Sequence, residues 1–288
     1  MWAIAINPTS GHGKGIAVGE RVVRYFSDHA FEYQVFSGRS AGELRSSLES
    51  FLDSQPCEGV ISVGGDGLAH LILQLTVPRN IPFAVMPAGT GNDIVRTLGW
   101  SLDDIDGYLE KVTSEAAQPI DLGNVDSEWF AAILSTGFDS VVNERANSLG
   151  WPKGPQRYNV AIALELPKFK PLTYEITLDT HSFETEAMLI AIGNGRSYGG
   201  GMYVCPQAQM HDGLFDIMVL EPVSKIEFLK VFPKVYSGSH LSHPAVMTMR
   251  AKKIAISAKA VAYADGERIG PAPISAECVK DAGLTWML

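Results

Sequence analysis

The chain has 288 residues, 46% of them apolar, and a net charge of −9, so it is long enough for two domains and ordinary in composition for a globular protein. The acidic balance excludes a general nucleic-acid binder, whose footprint is basic, and no run approaches the about 18 consecutive apolar residues of a spanning helix. Cys57, Cys205 and Cys278 are odd in number, far apart and free of C-x-x-C spacing. A reducing, cytoplasmic setting is therefore expected, and a structural zinc site is not.

Taken in chain order, the start has no basic leader and meets Asn7-Pro8 at once, so Trp2 to Ile6 reads as a first buried strand rather than a signal peptide. Gly13 to His29 carries Ile16, Val18, Val22, Val23 and Phe26 at helical intervals. A strand is predicted over Phe31 to Phe36, a helix over Ala41 to Leu52 and a strand over Gly59 to Val63. A helix over Leu68 to Leu75, a strand over Pro82 to Met86 and a helix over Asn92 to Leu98 follow, then an Asp-rich loop. Short apolar runs alternating with helices predict a mainly parallel sheet with both faces covered, which binds ligands at the carboxyl ends of its strands.

Beyond Pro119-Ile120-Asp121 the pattern changes. "WFAAILSTGFD", "TYEITLDTHSFETEAMLIAIGNG", "LFDIMVLEPV" and "KKIAISAKAVAYADGE" are strand-like runs between Gly, Pro, Asn and Asp. They predict an all-β second domain with one helical interruption, Lys225 to about Tyr236. The expected boundary gives domains 1–121 and 122–288, with an apolar tail, 276–288, that could return to the first. Charge separates the regions too: residues 1–149 hold nine Lys+Arg against 19 Asp+Glu, whereas 150–259 hold 12 against nine. There is no internal repeat and no low-complexity segment.

Three glycine-bearing junctions fall where strands of the first domain end: "NPTSGHGKG" (7–15), "GGDGLAH" (64–70) and "PAGTGND" (87–93). Backbone N–H groups at a helix start, with no Cβ in the way, make an anion-binding concavity. One such turn serves plain geometry as often as chemistry. Three on one sheet edge point to phosphate. The chain is not a P-loop kinase, since G-x-x-x-x-G-K-[ST] is absent, nor a protein kinase, since H-R-D and D-F-G are absent.

These junctions in this order resemble the diacylglycerol kinase catalytic-domain family, which includes sphingosine and ceramide kinases. The resemblance continues through "STGFDSVV" (135–142), "IGNGRSYGGGMYVCPQAQMHDGLFDIMVL" (192–220) and "ADGE" (264–267) and so spans nearly the whole chain. Gly-Gly-Asp-Gly is shared with NAD kinases, but "NPTSG" and "GNGRSYGGGM" look like the lipid-kinase branch. The resemblance implies a Rossmann-like α/β nucleotide domain followed by a β-sandwich domain, an ATP- and Mg²⁺-dependent kinase, and diacylglycerol as acceptor of the phosphate.

It also implies roles by position. Asn7, Ser10, Gly11 and Lys14 match the first nucleotide loop, and Gly64, Gly65, Asp66 and Gly67 the second; Ser37 falls where relatives have a nucleotide-contacting threonine. Thr90, Asn92 and Asp93 match the G-T-x-N-D block. Asp66 and Asp93 would serve the catalytic metal with Glu267, and Asp265 would be the general base that takes the hydroxyl proton. That requires a loop of the second domain to reach the cleft facing Asp66. Gln209, Asp212 and Leu214 match a second metal site with mostly carbonyl ligands.

Each position has a plainer alternative: Asp66, Asn92 and Asp93 as helix caps, Lys14 as a solvated side chain, "ADGE" as a hairpin turn, Asp212-Gly213 as a simple turn. His211 reads as a loop residue. The chain departs from the family at Leu68, Ala69, His70 and Leu71, where many members carry a threonine and then Asn-Glu; His70 reads as a helix-face residue. The expected partners are ATP and a membrane lipid reached peripherally at the inner membrane surface; the helix at 225–236 reads either as a segment that lies on an anionic surface or as a core-packed helix with a solvated lysine face. The chain could form a homodimer, and the alternatives to diacylglycerol kinase are a kinase for a sphingoid base or glycolipid precursor, or a nucleotide sensor that has lost catalysis.

Overall fold

Alternating runs and helices become a four-stranded parallel sheet in the computed structural model, which describes residues 1–151 and 156–288. Two units divide the chain: Met1–Leu122 with Lys280–Leu288, and Gly123–Val279. In the first, β1 (Trp2–Ile6), β2 (Tyr33–Phe36), β3 (Val60–Gly64) and β4 (Phe83–Pro87) pair in parallel in the order β2-β1-β3-β4. Every residue of β3 and β4 is buried. A strand covered on both faces needs apolar side chains at every position, which is why these two read as unbroken apolar runs.

The helices of this unit are α1 (Lys14–Asp28), α2 (Ala41–Ser54), α3 (Asp66–Thr76), α4 (Asp93–Thr97) and α5 (Ile105–Ser114). Helix α1 buries Val18, Val22 and Phe26, a stripe at spacing four. Ser40 starts α2 by accepting the Glu43 N–H at 3.2 Å, and the Glu43 carboxylate reaches back to the Arg39 N–H at 2.9 Å, a close relative of the capping box. Helix α5 corrects the sequence expectation of an Asp-rich loop. Asp104 is its N-cap and accepts the Gly107 N–H at 3.0 Å, so the acidic run marks a helix start. The chain end is built into this unit. Thr285 Oγ1 donates to the Phe83 carbonyl at 2.6 Å, and buried Trp286 donates to Glu115 and accepts from Trp100 Nε1 at 2.8 Å.

The remaining strands are β5 (Gln118–Val125), β6 (Glu128–Phe130), β7 (Ile133–Gly137), β8 (Leu172–Leu178), β9 (His181–Ala187), β10 (Leu189–Gly193), β11 (Phe215–Leu220), β12 (Val246–Ala251), β13 (Lys253–Ser257), β14 (Val261–Ala264), β15 (Glu267–Pro271) and β16 (Ile274–Thr285). They form two six-stranded sheets, β12-β11-β10-β7-β14-β15 and β6-β5-β16-β13-β8-β9. One apolar cluster draws on both: Leu134, Ile192 and Phe215 from the first sheet, Phe130, Ile176 and Ile254 from the second. That is a β-sandwich core. Strand β13 alternates exposed and buried side chains, with one face to solvent, whereas β10 and β11 are buried throughout.

The second unit is not all-β with a single helix. Helices α6 (Phe138–Ser148) and α7 (Gln156–Glu165) follow β7, and the predicted helix at 225–236 is α8 (Lys225–Val231), continued by 3₁₀ turns over Phe232–Ser237. Helix α6 buries Phe138, Val142 and Ala146, but polar residues break that stripe and Gly137 gives no capping side chain, so local sequence gives it little signal. Among the described residues no helix is long and apolar enough to cross a membrane.

Candidate active site

In the first unit the functional candidates gather on loops at the carboxyl ends of β1, β3 and β4, which includes the point between β1 and β3 where the strand order reverses. Ligands bind at such switch points in open α/β sheets. The loop after β1 contains a left-handed run, Gly11 (φ 55°), His12 (φ 60°) and Gly13 (φ 97°). A Cβ on Gly11 would stand 2.3 Å from the Ala88 carbonyl oxygen. A second contact explains why glycines are needed at these junctions. A Cβ on Gly65 would lie 3.1 Å from Gly89 Cα, and one on Gly89 would lie 2.3 Å from Gly65 Cα. The loops after β3 and β4 therefore touch backbone to backbone, with Ser10 Oγ 3.7 Å from the Gly65 Cβ position. Gly67, exposed in the first turn of α3, presents an N–H that no helical carbonyl can take.

Polar side chains fix this arrangement. Asn7 Oδ1 accepts from Thr9 N and Oγ1 at 3.1 and 2.9 Å. Asp66 accepts the Ile94 N–H at 3.1 Å, so its carboxylate reaches the first turn of α4, next to Asp93 in sequence. Asn92 (φ 55°) precedes α4 without capping it: its side chain accepts from Gly89 N at 2.8 Å and donates to Gly89 O at 3.0 Å. Asn92 and Asp93 are buried, whereas Thr90 and Lys14 are exposed. Ser37 is also exposed, after the edge strand β2, where it helps line a groove of about 460 Å³ with Gln34, Phe36, Ser47 and Ser50. The departure at Leu68 has a packing explanation, since its side chain lies 2.9 Å from where a Cβ on Gly64 would stand. His70 is buried on α3.

In the second unit, Asp265 and Gly266 are the two central residues of the β14–β15 hairpin, with φ of 51° and 87° and Ala264 paired to Glu267. That is the two-residue turn in which both centres take positive φ, for which Asp-Gly is suited. The plain hairpin alternative is thus correct as geometry, but the carboxylate does more. Asp265 is 8% exposed, and its two oxygens accept the N–H groups of Ala131 and Ala132 at 2.9 and 2.8 Å. Asn194, at the end of β10, takes the other side: its Nδ2 donates to Ala131 O at 2.8 Å, and its N–H and that of Gly195 donate to Ala132 O at 3.0 and 2.8 Å. All four backbone polar groups of residues 131–132 are satisfied, so three separated sequence blocks are locked at one point.

The hairpin is also tied to α6. Glu144 Oε1 accepts from Tyr263 OH at 3.0 Å and Arg268 Nε at 2.7 Å. Arg268 first, then Tyr263, hold the Glu144 carboxyl below its usual range. Glu267 is exposed beside Asp265. Sequence reasoning quoted the block containing Asn194 without assigning that residue, and it missed Glu144 and Arg268. The signal for Asn194 was its place after an apolar strand, between two glycines.

Asp139, second residue of α6, has one oxygen accepting the Ser140 N–H at 2.8 Å; the other is buried without a hydrogen-bond partner among the described residues. Burial pushes this acid up to about 6. A native acid raised from its unfolded value near 3.9 binds more protons than the unfolded chain between those values. Stability from this group therefore falls as pH rises from about 4 to about 6 and stays lower above. We expect Asp139→Asn to match the parent protein below about pH 4 and to gain roughly 1–3 kcal/mol above pH 6; thermal midpoints across that range that run parallel would contradict this.

For divalent cations, Asp66 and Asp93 are hard oxygen donors in the first unit. Among the described residues no group of three or more His, Cys, Asp or Glu could hold a metal. Magnesium is commonly bound by one or two carboxylates together with substrate phosphates, and the donor set fits that use rather than a resident cage. Asp212 is engaged in an ion pair with Arg250, which also lies 3.3 Å from Asp216, and it accepts the Leu214 N–H at 3.1 Å. Gln209 is exposed on the same connection before β11. An ion there would compete with Arg250.

An α/β unit with glycine-rich loops at its switch point and a β-sandwich unit with a clamped acid are the two parts that the diacylglycerol kinase resemblance leads one to expect. The family model for the diacylglycerol kinase catalytic domain matches residues 1–125, and that for the YegS C-terminal NAD kinase beta sandwich-like domain matches residues 132–283. A diacylglycerol kinase of Mycobacterium tuberculosis (strain ATCC 25618 / H37Rv) is 33% identical over 283 residues, 96% of this chain and 91% of that protein. One from Bacillus subtilis (strain 168) is 29% identical over 276 residues, 94% and 90% of the two chains. A crystal structure of a diacylglycerol kinase from Bacillus anthracis str. Sterne has the same fold, with a TM-score of 0.75, 21% identity and coverage of 99% and 96%. The chain belongs to the diacylglycerol kinase family.

Proposed function

We propose that this chain transfers the γ-phosphate of ATP to the free hydroxyl of diacylglycerol, giving phosphatidic acid and ADP, at the cytoplasmic surface of a membrane. The observation that carries the proposal is the match of the whole chain, through both units, to proteins named diacylglycerol kinase. The loops at Asn7–Lys14, Gly64–Gly67 and Thr90–Asn92 hold the phosphates through backbone N–H groups, where a helix start favours negative charge, with Ser37 as a further nucleotide contact. Asp265 accepts the proton of the acceptor hydroxyl as its oxygen bonds to the γ-phosphorus, and the bond from that phosphorus to the departing ADP oxygen breaks. The backbone clamp on Asp265 fixes the orientation of its carboxylate before substrate arrives, so little reorganisation is needed. Asp66, Asp93 and Glu267 are the carboxylates that would hold Mg²⁺, which when bound neutralises charge on the phosphate oxygens.

Purified protein given γ-labelled ATP and a panel of diacylglycerol, a sphingoid base, a glycolipid precursor and no lipid tests the assignment. Label on diacylglycerol supports it. Label confined to another lipid alcohol replaces the acceptor, and binding of ATP without label on any lipid makes the chain a nucleotide sensor.

A further inference from the structure

The connection between β10 and β11 closes in a tight turn, Asp212-Gly213, with Gly213 at φ 73°. The family resemblance puts a divalent cation here, on the Asp212 carboxylate and the carbonyls of Gln209 and Leu214. Arg250 is the residue that sequence reasoning did not bring to this turn. It lies on β12 directly opposite Asp216 of β11, whose other cross-strand neighbour is Gly193 of β10. Glycine offers Asp216 no side chain, so the side-chain partner that this ladder supplies is a guanidinium. Residues paired in this way have Cβ atoms about 5 Å apart, and the sheet itself therefore delivers Arg250 to the turn.

The guanidinium joins two carboxylates. Its Nε donates to Asp216 Oδ2 at 3.3 Å, and its Nη2 donates to Asp212 Oδ2. The second oxygen of Asp212, Oδ1, accepts the Leu214 N–H at 3.1 Å. Both oxygens of the one charged ligand expected at this site are thus engaged. A hard cation binds oxygen at about 2.0–2.6 Å, so an ion on Oδ2 would have to displace the guanidinium. Kept close by Asp216, the displaced group would repel the ion. The donor set does not fit a divalent cation while Arg250 is in place. The side chains of Asp216 and Asp212 are 12% and 26% exposed, which leaves this pairing less screened than one on the open surface. A structural ion here would tie the turn to the start of β11, and one planar, two-pronged cation does the same.

We propose that the Arg250 guanidinium takes the place of a divalent cation at this turn. The second unit holds the turn in position without a metal ion there, and loss of the guanidinium opens a site for Ca²⁺ or Mg²⁺ at Asp212 and Asp216. The proposal concerns the build of the second unit and stands apart from phosphoryl transfer, so the fate of the substrate assignment does not decide it.

Titration of the chelator-stripped, nucleotide-free protein with Ca²⁺ and, separately, Mg²⁺ tests it, with the heat of binding and the thermal midpoint as readouts. The same titrations on Asp212→Asn subtract any binding at Asp66 and Asp93. The parent protein is expected to show no Asp212-dependent binding up to about 1 mM, the weak end of protein Ca²⁺ sites. Arg250→Gln is expected to have a lower midpoint than the parent in chelator and to recover it with Ca²⁺, binding the ion at least roughly tenfold more tightly than the parent does. Adding Asp212→Asn to that variant is expected to abolish the recovery. Arg250→Lys keeps the positive charge and is expected to remain insensitive to both ions. Asp212-dependent binding of either ion by the parent overturns the proposal, whether or not the variants fold. A folded Arg250→Gln that gains no Ca²⁺ or Mg²⁺ response overturns it as well, because the guanidinium would then replace nothing.

Discussion

Asp265→Asn is expected to lower turnover by roughly 10²- to 10⁴-fold, the usual contribution of a positioned general base, while leaving ATP affinity close to that of the parent. The substitution is less conservative here than it looks. Both oxygens of Asp265 accept backbone N–H groups, from Ala131 at 2.9 Å and Ala132 at 2.8 Å. An amide has one acceptor oxygen, so its NH₂ would face an N–H donor, and a buried donor left unsatisfied costs about 1–3 kcal/mol. Reduced activity alone would therefore not separate chemistry from damage. Asn194→Ala supplies the separation, because it removes the Nδ2 contact to Ala131 O at 2.8 Å and loosens the same clamp without touching the carboxylate. Assayed below both unfolding midpoints, Asn194→Ala should keep most of its turnover and Asp265→Asn should not. Equal losses in the two variants would reduce Asp265 to a structural clasp.

The second large effect is expected at Gly89→Ala. The new methyl carbon would stand 2.3 Å from Gly65 Cα and 2.9 Å from Asn92 Oδ1. Backbone cannot rotate away as a side-chain end can, so the loops after β3 and β4 must separate. Forcing a methyl into a packed site costs about 1–3 kcal/mol, and the disturbed loops are those assigned to the phosphates. We expect a lower thermal midpoint together with at least a tenfold loss of ATP affinity by titration. Gly42→Ala is the matched control: on α2 its Cβ would meet only Ser40 Oγ at 4.0 Å, and alanine in place of glycine in a helix gains up to about 1 kcal/mol. Wild-type ATP affinity in Gly89→Ala would show that the contact between these loops has no part in nucleotide binding.

Local pattern carried the parallel sheet and most of the sandwich strands, because β3, β4, β10 and β11 are buried on both faces and must be apolar throughout. It failed where tertiary contacts decide. Helix α6 relies on Phe138, Val142 and Ala146 against a sheet that sequence cannot place, and α7 has no polar face to display a helical period. Helix α5 was hidden because an Asp-rich run is both a loop and a capping signal, and only Asp104 bound to Gly107 N resolves which. The glycine junctions were legible as phosphate loops from composition and spacing. Their mutual contact through Gly65 and Gly89 was not, since it joins backbones 24 residues apart. Asp66 shows the same limit: its reach to the Ile94 N–H of α4, 28 residues on, was not legible. Asp265 was found through family blocks alone. Its clamp depends on Ala131 and Ala132, two small residues with no chemical signature.

The most direct measurement follows the fate of the two ends of ATP in one reaction. Protein, Mg²⁺ and vesicles containing diacylglycerol are incubated with ATP labelled in the γ-phosphate or, separately, in the α-phosphate, and phosphatidic acid and ADP are quantified together. Transfer by this chain predicts γ-label in phosphatidic acid equal to ADP formed, with no α-label in lipid. ADP accumulating without labelled lipid, or no ADP at all, would contradict it.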